Sequence, residues 1–232
     1  RESDIFNDTI IIYEFLNDNN FLPEDDAGKS KNYELVVENI QTGNIVTANT
    51  DLICDFSFLN VPSTFQFGFV AAFNENTSPY VVEYSSTTLD WGGSKDNGTI
   101  YQIDLVFHYV ENGEAMSLIY TAGEVSGSDS RLKIEGEAFF DFLRNQIIRD
   151  SSKTRFFNSI DIVMTVGSED MESYINVNEP VTGIVQERPY FTNINNGIGL
   201  FSSRLTYRSN DFPLTTPSLN YLKSSFGLDR NF

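Results

Sequence analysis

A strict two-residue alternation over residues 101–110 constrains the fold of this chain more than any other feature. Large apolar side chains occupy every second position, and mostly polar side chains lie between them. This period is typical of a β-strand with one buried face and one mixed face. Asn112 and Gly113 follow, a pair that favours the tight turn of a hairpin, and the apolar alternation resumes over residues 116–120. The sequence therefore predicts two antiparallel strands joined at Asn112–Gly113.

Three segments depart from this period and predict short helices. The longest, over residues 137–148, carries Phe139, Leu143 and Ile147 at intervals of four, which gives it one apolar face. Ser168 opens the second like an N-cap, and Thr216 opens a third that Gly227 is expected to stop. Further strands are predicted at residues 9–16, 33–40, 44–50, 65–73, 80–85 and 160–167, with loops at 17–32, 86–98 and 123–131.

Together these elements predict a mainly β protein with an antiparallel, sandwich-like arrangement, of which the immunoglobulin type is one form. Two or three short helices complete it, and aromatic residues make up 14% of the chain, which favours strands and large buried side chains. An α+β fold with the helices covering one sheet is the alternative. A boundary near residue 52 would separate an N-terminal β region (1–52) from a larger β-rich domain (53–232); a single domain is the alternative.

The densest turn signal lies in residues 188–208, RPYFTNINNGIGLFSSRLTYR. β-prone runs at residues 190–192 and 200–207 flank a turn in which Asn196 and Gly197 favour positive φ. The second glycine suits a bulge or a close approach of the backbone. A structural turn and a ligand-binding loop are both compatible with this pattern. The residues concerned are Asn193, Asn196, Gly197 and Gly199.

Catalytic constellations are sparse. His108 is the only histidine, and Asp104 on the same predicted strand face lies roughly 13 Å away, too far for a direct pair. One histidine and one cysteine, Cys54, do not make a typical zinc site, and Cys54 lies in an apolar run that predicts burial. We therefore predict no catalytic, cofactor or metal site, and no cofactor.

Three features keep a binding or catalytic alternative open. The acidic loop of Asp18 and residues 24–26 is either a Ca²⁺ ligand set or a solvated surface. The abundant carboxylates are compatible with a two-carboxylate glycosidase, although no spacing singles out a pair. Trp91, the only tryptophan, lies in a predicted loop, where an exposed ring would stack on a sugar and a half-buried ring would anchor the loop.

Charge and hydropathy exclude several partners. The chain carries 33 acidic and 15 basic residues, a net charge of −18, which repels nucleic acid and anionic membranes. No run of about 18 apolar residues is present, so no segment is expected to cross a membrane. The chain begins with Arg1 rather than methionine, so we expect its natural beginning, with any signal peptide and anchoring cysteine, to lie upstream.

The segment TNINNGIGLFSSR at residues 192–204 resembles a family of Bacteroidetes outer-membrane lipoproteins of unknown function, whose members end in a similar segment. The hairpin pattern of residues 32–50 and the acidic–aromatic segment of residues 169–174 are similar to other parts of that family. Asn196 and residues 201–204 depart from the glycine and other residues that many members carry at these positions. The resemblance implies export, a lipid anchor outside this chain and β-rich structure, and it carries no catalytic residues.

From these features we expect a non-enzymatic, surface-exposed lipoprotein at the outer membrane. It would bind an extracellular glycan or peptide, or capture a nutrient beside an outer-membrane transporter. A carboxylate-dependent carbohydrate-active enzyme and a structural or assembly subunit are the alternatives.

Overall fold

The computed structural model describes residues 31–53, 58–77, 79–92, 98–127, 129–178 and 190–232. The predicted strand at residues 9–16, the acidic loop with Asp18, and Cys54 lie outside the described residues. The strands are β1 (Asn32–Asn39), β2 (Asn44–Asp51), β3 (Val70–Asn74), β4 (Val81–Tyr84), β5 (Ser86–Asp90), β6 (Ile100–Glu111), β7 (Glu114–Ser126), β8 (Arg131–Glu135), β9 (Arg155–Gly167) and β10 (Arg204–Phe212). The helices are α1 (Gly136–Gln146), α2 (Glu169–Asn178) and α3 (Thr216–Lys223).

The largest sheet has four antiparallel strands in the order β10–β9–β6–β7. β6 and β7 form the predicted hairpin, with Asn112 at φ 52° and Gly113 at φ 92° in its turn. The alternation in β6 is confirmed, because every odd-numbered side chain from Tyr101 to Tyr109 is buried. β9 buries Ile160, Ile162, Met164 and Val166 on the same face. This apolar face forms one side of the core.

The second layer packs on that face through phenylalanines. Phe139 of α1 has its ring centroid 6.2 Å from Phe107 of β6 and 4.4 Å from Phe69, just before β3. Leu143 and Ile147 are buried beside it, as predicted. The strand pairs β3–β4 and β5–β8 complete this layer, both antiparallel. The fold is thus mainly antiparallel β and sandwich-like with three helices, which confirms the predicted class.

Two predicted loops contain strands. Residues 86–90 pair with Arg131–Glu135 as β5 and β8, and β7 continues to Ser126. The polar composition misled the prediction, since Thr87 and Leu89 alternate as buried residues with half-exposed neighbours. Threonine is β-branched and fits a pleated, half-buried surface even where the segment is polar.

Conversely, the strand predicted over residues 65–73 is present only from Val70 onward. Phe67 is fully buried in irregular chain and forms a single bridge to Leu214, with Thr215 N donating to Phe67 O at 2.9 Å. Tyr190 and Phe191 form no strand, and the next strand begins at residue 204 rather than 200. The partner of Phe67 is Leu214, and the partner of Arg204 at the start of β10 is Gly167, so local pattern alone did not fix the limits of these segments.

The helix ends also differ from the prediction. α1 ends at Gln146, and Ile148 is 80% exposed. α3 has Thr215, not Thr216, as its N-cap and ends at Lys223, so Gly227 does not stop it. Position 227 instead has no room for a side chain, because a Cβ there would lie 2.0 Å from Tyr221 O.

The β1–β2 hairpin agrees with the prediction and is bonded to the C-terminal part of the chain. Asn195 forms a bridge with Thr47, in which Asn195 N donates to Thr47 O at 2.8 Å and Thr47 N donates to Asn195 O at 3.3 Å. The hydroxyl of Ser203 donates to Asp51 O at 2.7 Å. The division at residue 52 stays a prediction, and these bonds cross it.

Candidate ligand-binding cleft

The predicted turn near residue 196 is a loop closed by its own side chains. The Thr192 hydroxyl donates to Gly199 O at 2.9 Å and accepts from Gly199 N at 3.0 Å. Asn193 donates to Asp170 of α2 at 2.9 Å and to Phe201 O at 2.7 Å, and it accepts from Phe201 N at 2.9 Å. Both polar ends of the Asn193 amide are therefore engaged by the protein. This geometry favours the structural interpretation over the ligand-binding one.

Within that loop the positive φ belongs to Asn196, at 58°, and the prediction of a positive φ at Gly197 is wrong. Gly197 is needed for close packing, because a Cβ there would lie 2.9 Å from Ile194 Cγ2 and 3.2 Å from Val46 Cγ1. Gly199 has φ 154°, in the region that glycine favours. The glycines thus allow the loop to approach the β1–β2 hairpin.

Trp91 lies in the core rather than at the surface. Its side chain is 1% exposed, and its ring centroid is 5.4 Å from that of Tyr101. An indole in this position presents no open face to a sugar, so the carbohydrate-stacking prediction is corrected. The residue follows β5, forms an isolated bridge with Phe58 and belongs to the core, where an aromatic ring contributes large apolar area.

His108 pairs with a residue that the sequence did not indicate. Its Nε2 lies 3.0 Å from Asp161 Oδ2 on the neighbouring strand β9, and Arg208 of β10 donates to the same oxygen at 3.3 Å. Asp104 is bonded elsewhere, accepting from the Thr121 hydroxyl at 2.7 Å. The cluster spans three strands of the polar sheet face, so only the strand order brings it together. It links strands and lines none of the clefts described below.

A cleft of about 410 Å³ lies where β4, the end of α1 and the chain after α3 meet. That volume is in the range of small-molecule sites, roughly 300–1,000 Å³. We call it the tyrosine–arginine cleft, after the residues that line it. Those used below are Tyr80, Tyr84, Arg144, Tyr221, Phe226 and Arg230.

A hydrogen-bonded network forms the base of the cleft. The hydroxyls of Tyr84 and Tyr221 are 2.7 Å apart, and Arg144 Nη2 donates to the Tyr221 hydroxyl at 2.7 Å. Arg144 Nη1 is bonded to Asp141 one turn earlier. Burial, and then the hydrogen bond with Tyr84, raise the pKa of Tyr221 well above its ordinary value. Its hydroxyl therefore stays protonated at neutral pH and acts as a hydrogen-bonding group.

The local sequence explains how these side chains are oriented. Tyr80, Val82 and Tyr84 alternate along β4 and its approach, so they share one face. Tyr221 belongs to the buried face of α3, where its ring centroid is 4.8 Å from that of Phe140. Arg144 follows buried Leu143 in the last turn of α1, and its side chain remains 33% exposed.

The last residues of the chain form another wall. Arg230 donates to the main-chain oxygens of Ile147 at 2.6 Å, Arg144 at 2.9 Å and Asp229 at 2.8 Å. Burial, and then the nearby charge of Arg144, lower the pKa of Arg230. Asp229 forms an ion pair with Arg149 at 3.0 Å. Arg230 thus links residues 228–232 to the C-terminal end of α1 by hydrogen bonds and places a positive charge in the lining of the cleft.

Two exposed rings stand at the rim. Tyr80 is 49% exposed and Phe226 is 55% exposed, and their centroids are 6.2 Å apart at an interplanar angle of 45°. Exposed aromatic groups beside convergent polar groups are typical of ligand sites. The sequence did not predict this site, because only the spacing of Tyr80 and Tyr84 is local. The other lining residues are about sixty or more positions further along the chain.

Comparisons with known proteins give no match to a family model, to a curated protein or to a solved structure. In the part of the chain that the structure describes, no helix is long and apolar enough to cross a membrane. The same residues include no group of three or more His, Cys, Asp or Glu side chains placed to hold a metal ion.

Proposed function

We propose that this protein is a non-enzymatic, surface-exposed lipoprotein of the outer membrane that binds an extracellular ligand in the tyrosine–arginine cleft. The observation that carries the binding role is the combination of a cleft of about 410 Å³, a hydroxyl–guanidinium base and an exposed aromatic rim. Export and the lipid anchor are supported by the family resemblance alone, and nutrient capture beside a transporter is supported by the sparse catalytic constellations and the acidic, aromatic-rich composition.

The chemistry of the cleft supports binding rather than turnover. Hydrolysis by two carboxylates needs a pair that flanks the scissile bond. Among the described lining residues, Asp229 is the one carboxylate, and it is paired with Arg149 at 3.0 Å. Tyr221 is a protonated hydrogen-bonding group at neutral pH, since burial raises its pKa.

The test is a binding screen of glycans and peptides with the full-length protein. We expect at least one ligand whose affinity falls at least tenfold in Phe226→Ala, because the exposed ring contributes contact area at the rim. The matched control is Phe156→Ala, which removes a ring of β9 that is 64% exposed and lies outside the cleft lining. Equal binding by both variants for every ligand would reject the cleft as the site.

Catalysis and anchoring need separate measurements. Turnover of any glycan that is abolished by substituting one Asp or Glu without unfolding would replace this proposal with the carbohydrate-active enzyme. Fatty-acid labelling of the full-length protein in cells, lost when a lipobox cysteine is changed to serine, tests the anchor. An unlabelled protein in the soluble cell fraction would contradict the surface assignment.

A further inference from the structure

We infer that the ligand of the tyrosine–arginine cleft is an acidic oligosaccharide, with its carboxylate beside Arg144 and its sugar ring on Tyr80 and Phe226. This inference rests on the proposed binding function and names the class of ligand.

The first support is local charge. The whole chain has 15 basic and 33 acidic residues, yet the lining of the cleft reverses this balance. Arg144 and Arg230 are its positive groups, and Asp229 is the one carboxylate among the described lining residues. The lining therefore carries an excess of one positive charge. A positive region on so acidic a protein favours an anionic ligand at this place over others on its surface.

The second support is the set of N–H groups that Arg144 leaves unused. Arg230 already directs four hydrogen bonds to main-chain oxygens, so it contributes mainly its charge, which no carboxylate among the described residues contacts directly. Arg144 forms hydrogen bonds with Asp141, Tyr221 and Tyr84, which leaves part of the five N–H groups of a guanidinium for a ligand. Its side chain is 33% exposed. A planar guanidinium in this position matches the geometry of a carboxylate.

The third support is a hydroxyl hydrogen at the base of the cleft. Tyr84 and Tyr221 each carry one hydroxyl hydrogen, and one of these two hydrogens forms the 2.7 Å bond between the two hydroxyl oxygens. The hydrogen bond from Arg144 to Tyr221 uses a hydrogen of Arg144, so the second hydroxyl hydrogen remains. No acceptor among the described residues takes the second hydrogen. An anionic oxygen bound beside Arg144 would accept it.

The exposed rings at the rim suit a saccharide as the rest of the ligand. The rings of Tyr80 and Phe226 are tilted by 45°, and each is about half exposed. They form an open platform, which suits the flat C–H face of a sugar ring. Tyr80 and Tyr84 are four residues apart on one extended face, roughly 13 Å along the chain. That main-chain spacing is longer than one sugar ring, so oligosaccharides are the ligands to be tested.

The experiment compares acidic oligosaccharides with their carboxyl-reduced counterparts, which differ only in the charged group. Oligogalacturonate, oligoalginate and a glucuronate-containing oligosaccharide are titrated into the full-length protein by calorimetry. We expect at least one acidic form to bind roughly 10- to 100-fold more tightly than its reduced form, as loss of a charged hydrogen bond implies. Raised salt should weaken the acidic form selectively.

Two variants locate the carboxylate. Arg144→Gln should reduce the affinity for the acidic form to that for the reduced form. Arg131→Gln should not, because that side chain of β8 is 72% exposed and lies outside the cleft lining. If Arg144→Gln does not fold, Tyr84→Phe removes only a hydroxyl and should lower the affinity for the acidic form at least threefold.

The outcomes separate the inference from the proposed function. Equal affinity for the acidic and the carboxyl-reduced forms would overturn the inference and leave the cleft as a neutral-sugar site. A preference for the acidic form that persists unchanged in folded Arg144→Gln or Tyr84→Phe protein would overturn it as well. Failure of all the saccharides to bind would also overturn it. If a peptide then binds and Phe226→Ala weakens it, the proposed function stands; if no glycan or peptide binds, both fail.

Discussion

Gly136 begins α1 directly against two main-chain carbonyls. A Cβ at this position would lie 2.0 Å from Phe69 O and 2.5 Å from Ser85 O, well inside ordinary contact distance. Both oxygens are already acceptors, from Ser85 N at 3.0 Å and from Gly136 N at 2.9 Å. Alanine is favoured over glycine by about 1 kcal/mol inside helices, so helix propensity and packing predict opposite effects of Gly136→Ala.

The structure predicts that packing dominates. Overpacking typically costs about 1–3 kcal/mol, and displacing the two carbonyls weakens two hydrogen bonds at roughly 0.5–1.5 kcal/mol each. After subtracting about 1 kcal/mol for the gain in propensity, we expect Gly136→Ala to lower the free energy of unfolding by roughly 1–5 kcal/mol. Urea unfolding followed by the fluorescence of Trp91, the single and buried tryptophan, measures it.

Gly68→Ala is the matched control, because its Cβ would meet the Thr215 side chain at 3.5 Å, an ordinary contact. That variant should change the free energy of unfolding by less than about 1 kcal/mol. If Gly136→Ala is as stable as the wild type or more stable, the close approach of α1 to the Phe69 and Ser85 carbonyls is refuted.

Two further predictions concern the core and the ion pairs. Leu143→Ala should lower the free energy of unfolding by about 2–5 kcal/mol, against less than about 0.5 kcal/mol for exposed Ile148→Ala; equal effects in urea would remove α1 from the core. Hydrogen bonds from Lys153 and then Arg155 lower the pKa of Glu111 below its ordinary 4.5. The stability from Glu111 is therefore present above pH 4.5 and is lost as pH falls through the lowered pKa. Thermal unfolding of Glu111→Gln should depend less on pH below 4.5, and an unchanged acid profile would contradict this.

Local patterns predicted the elements whose partners are near in the chain. The β6–β7 hairpin was predictable from its two-residue alternation and the Asn112–Gly113 turn. The apolar face of α1 was predictable from apolar residues spaced four positions apart. β5 was missed because its partner is β8, some forty residues away, and its composition resembles a loop. Whether such a segment becomes a strand depends on an edge that another part of the chain offers.

The cleft was not predictable for the same physical reason. Tyr84 is 137 residues from Tyr221, and Arg144 is 77 residues from Tyr221. Neither distance leaves a periodic signal, because the contacts arise only when α3 packs against β3 and β4. The Asn and Gly residues of 192–201 instead predicted a turn or a ligand loop there. In the structure, Gly197 allows this loop to pack closely against the β1–β2 hairpin.

The late position of α3 in the chain has a kinetic consequence. The hydroxyl of Ser218 accepts from Phe69 N and Val70 N, each at 3.0 Å, across 149 and 148 residues. Phe67 and Leu214 bridge over a comparable interval. Two buried amides of the second layer therefore lack this acceptor until α3 has been synthesised. Contacts of such sequence separation slow folding, so the nascent chain should remain without its native core while it emerges from the ribosome. It would then be available to a chaperone until α3 has emerged.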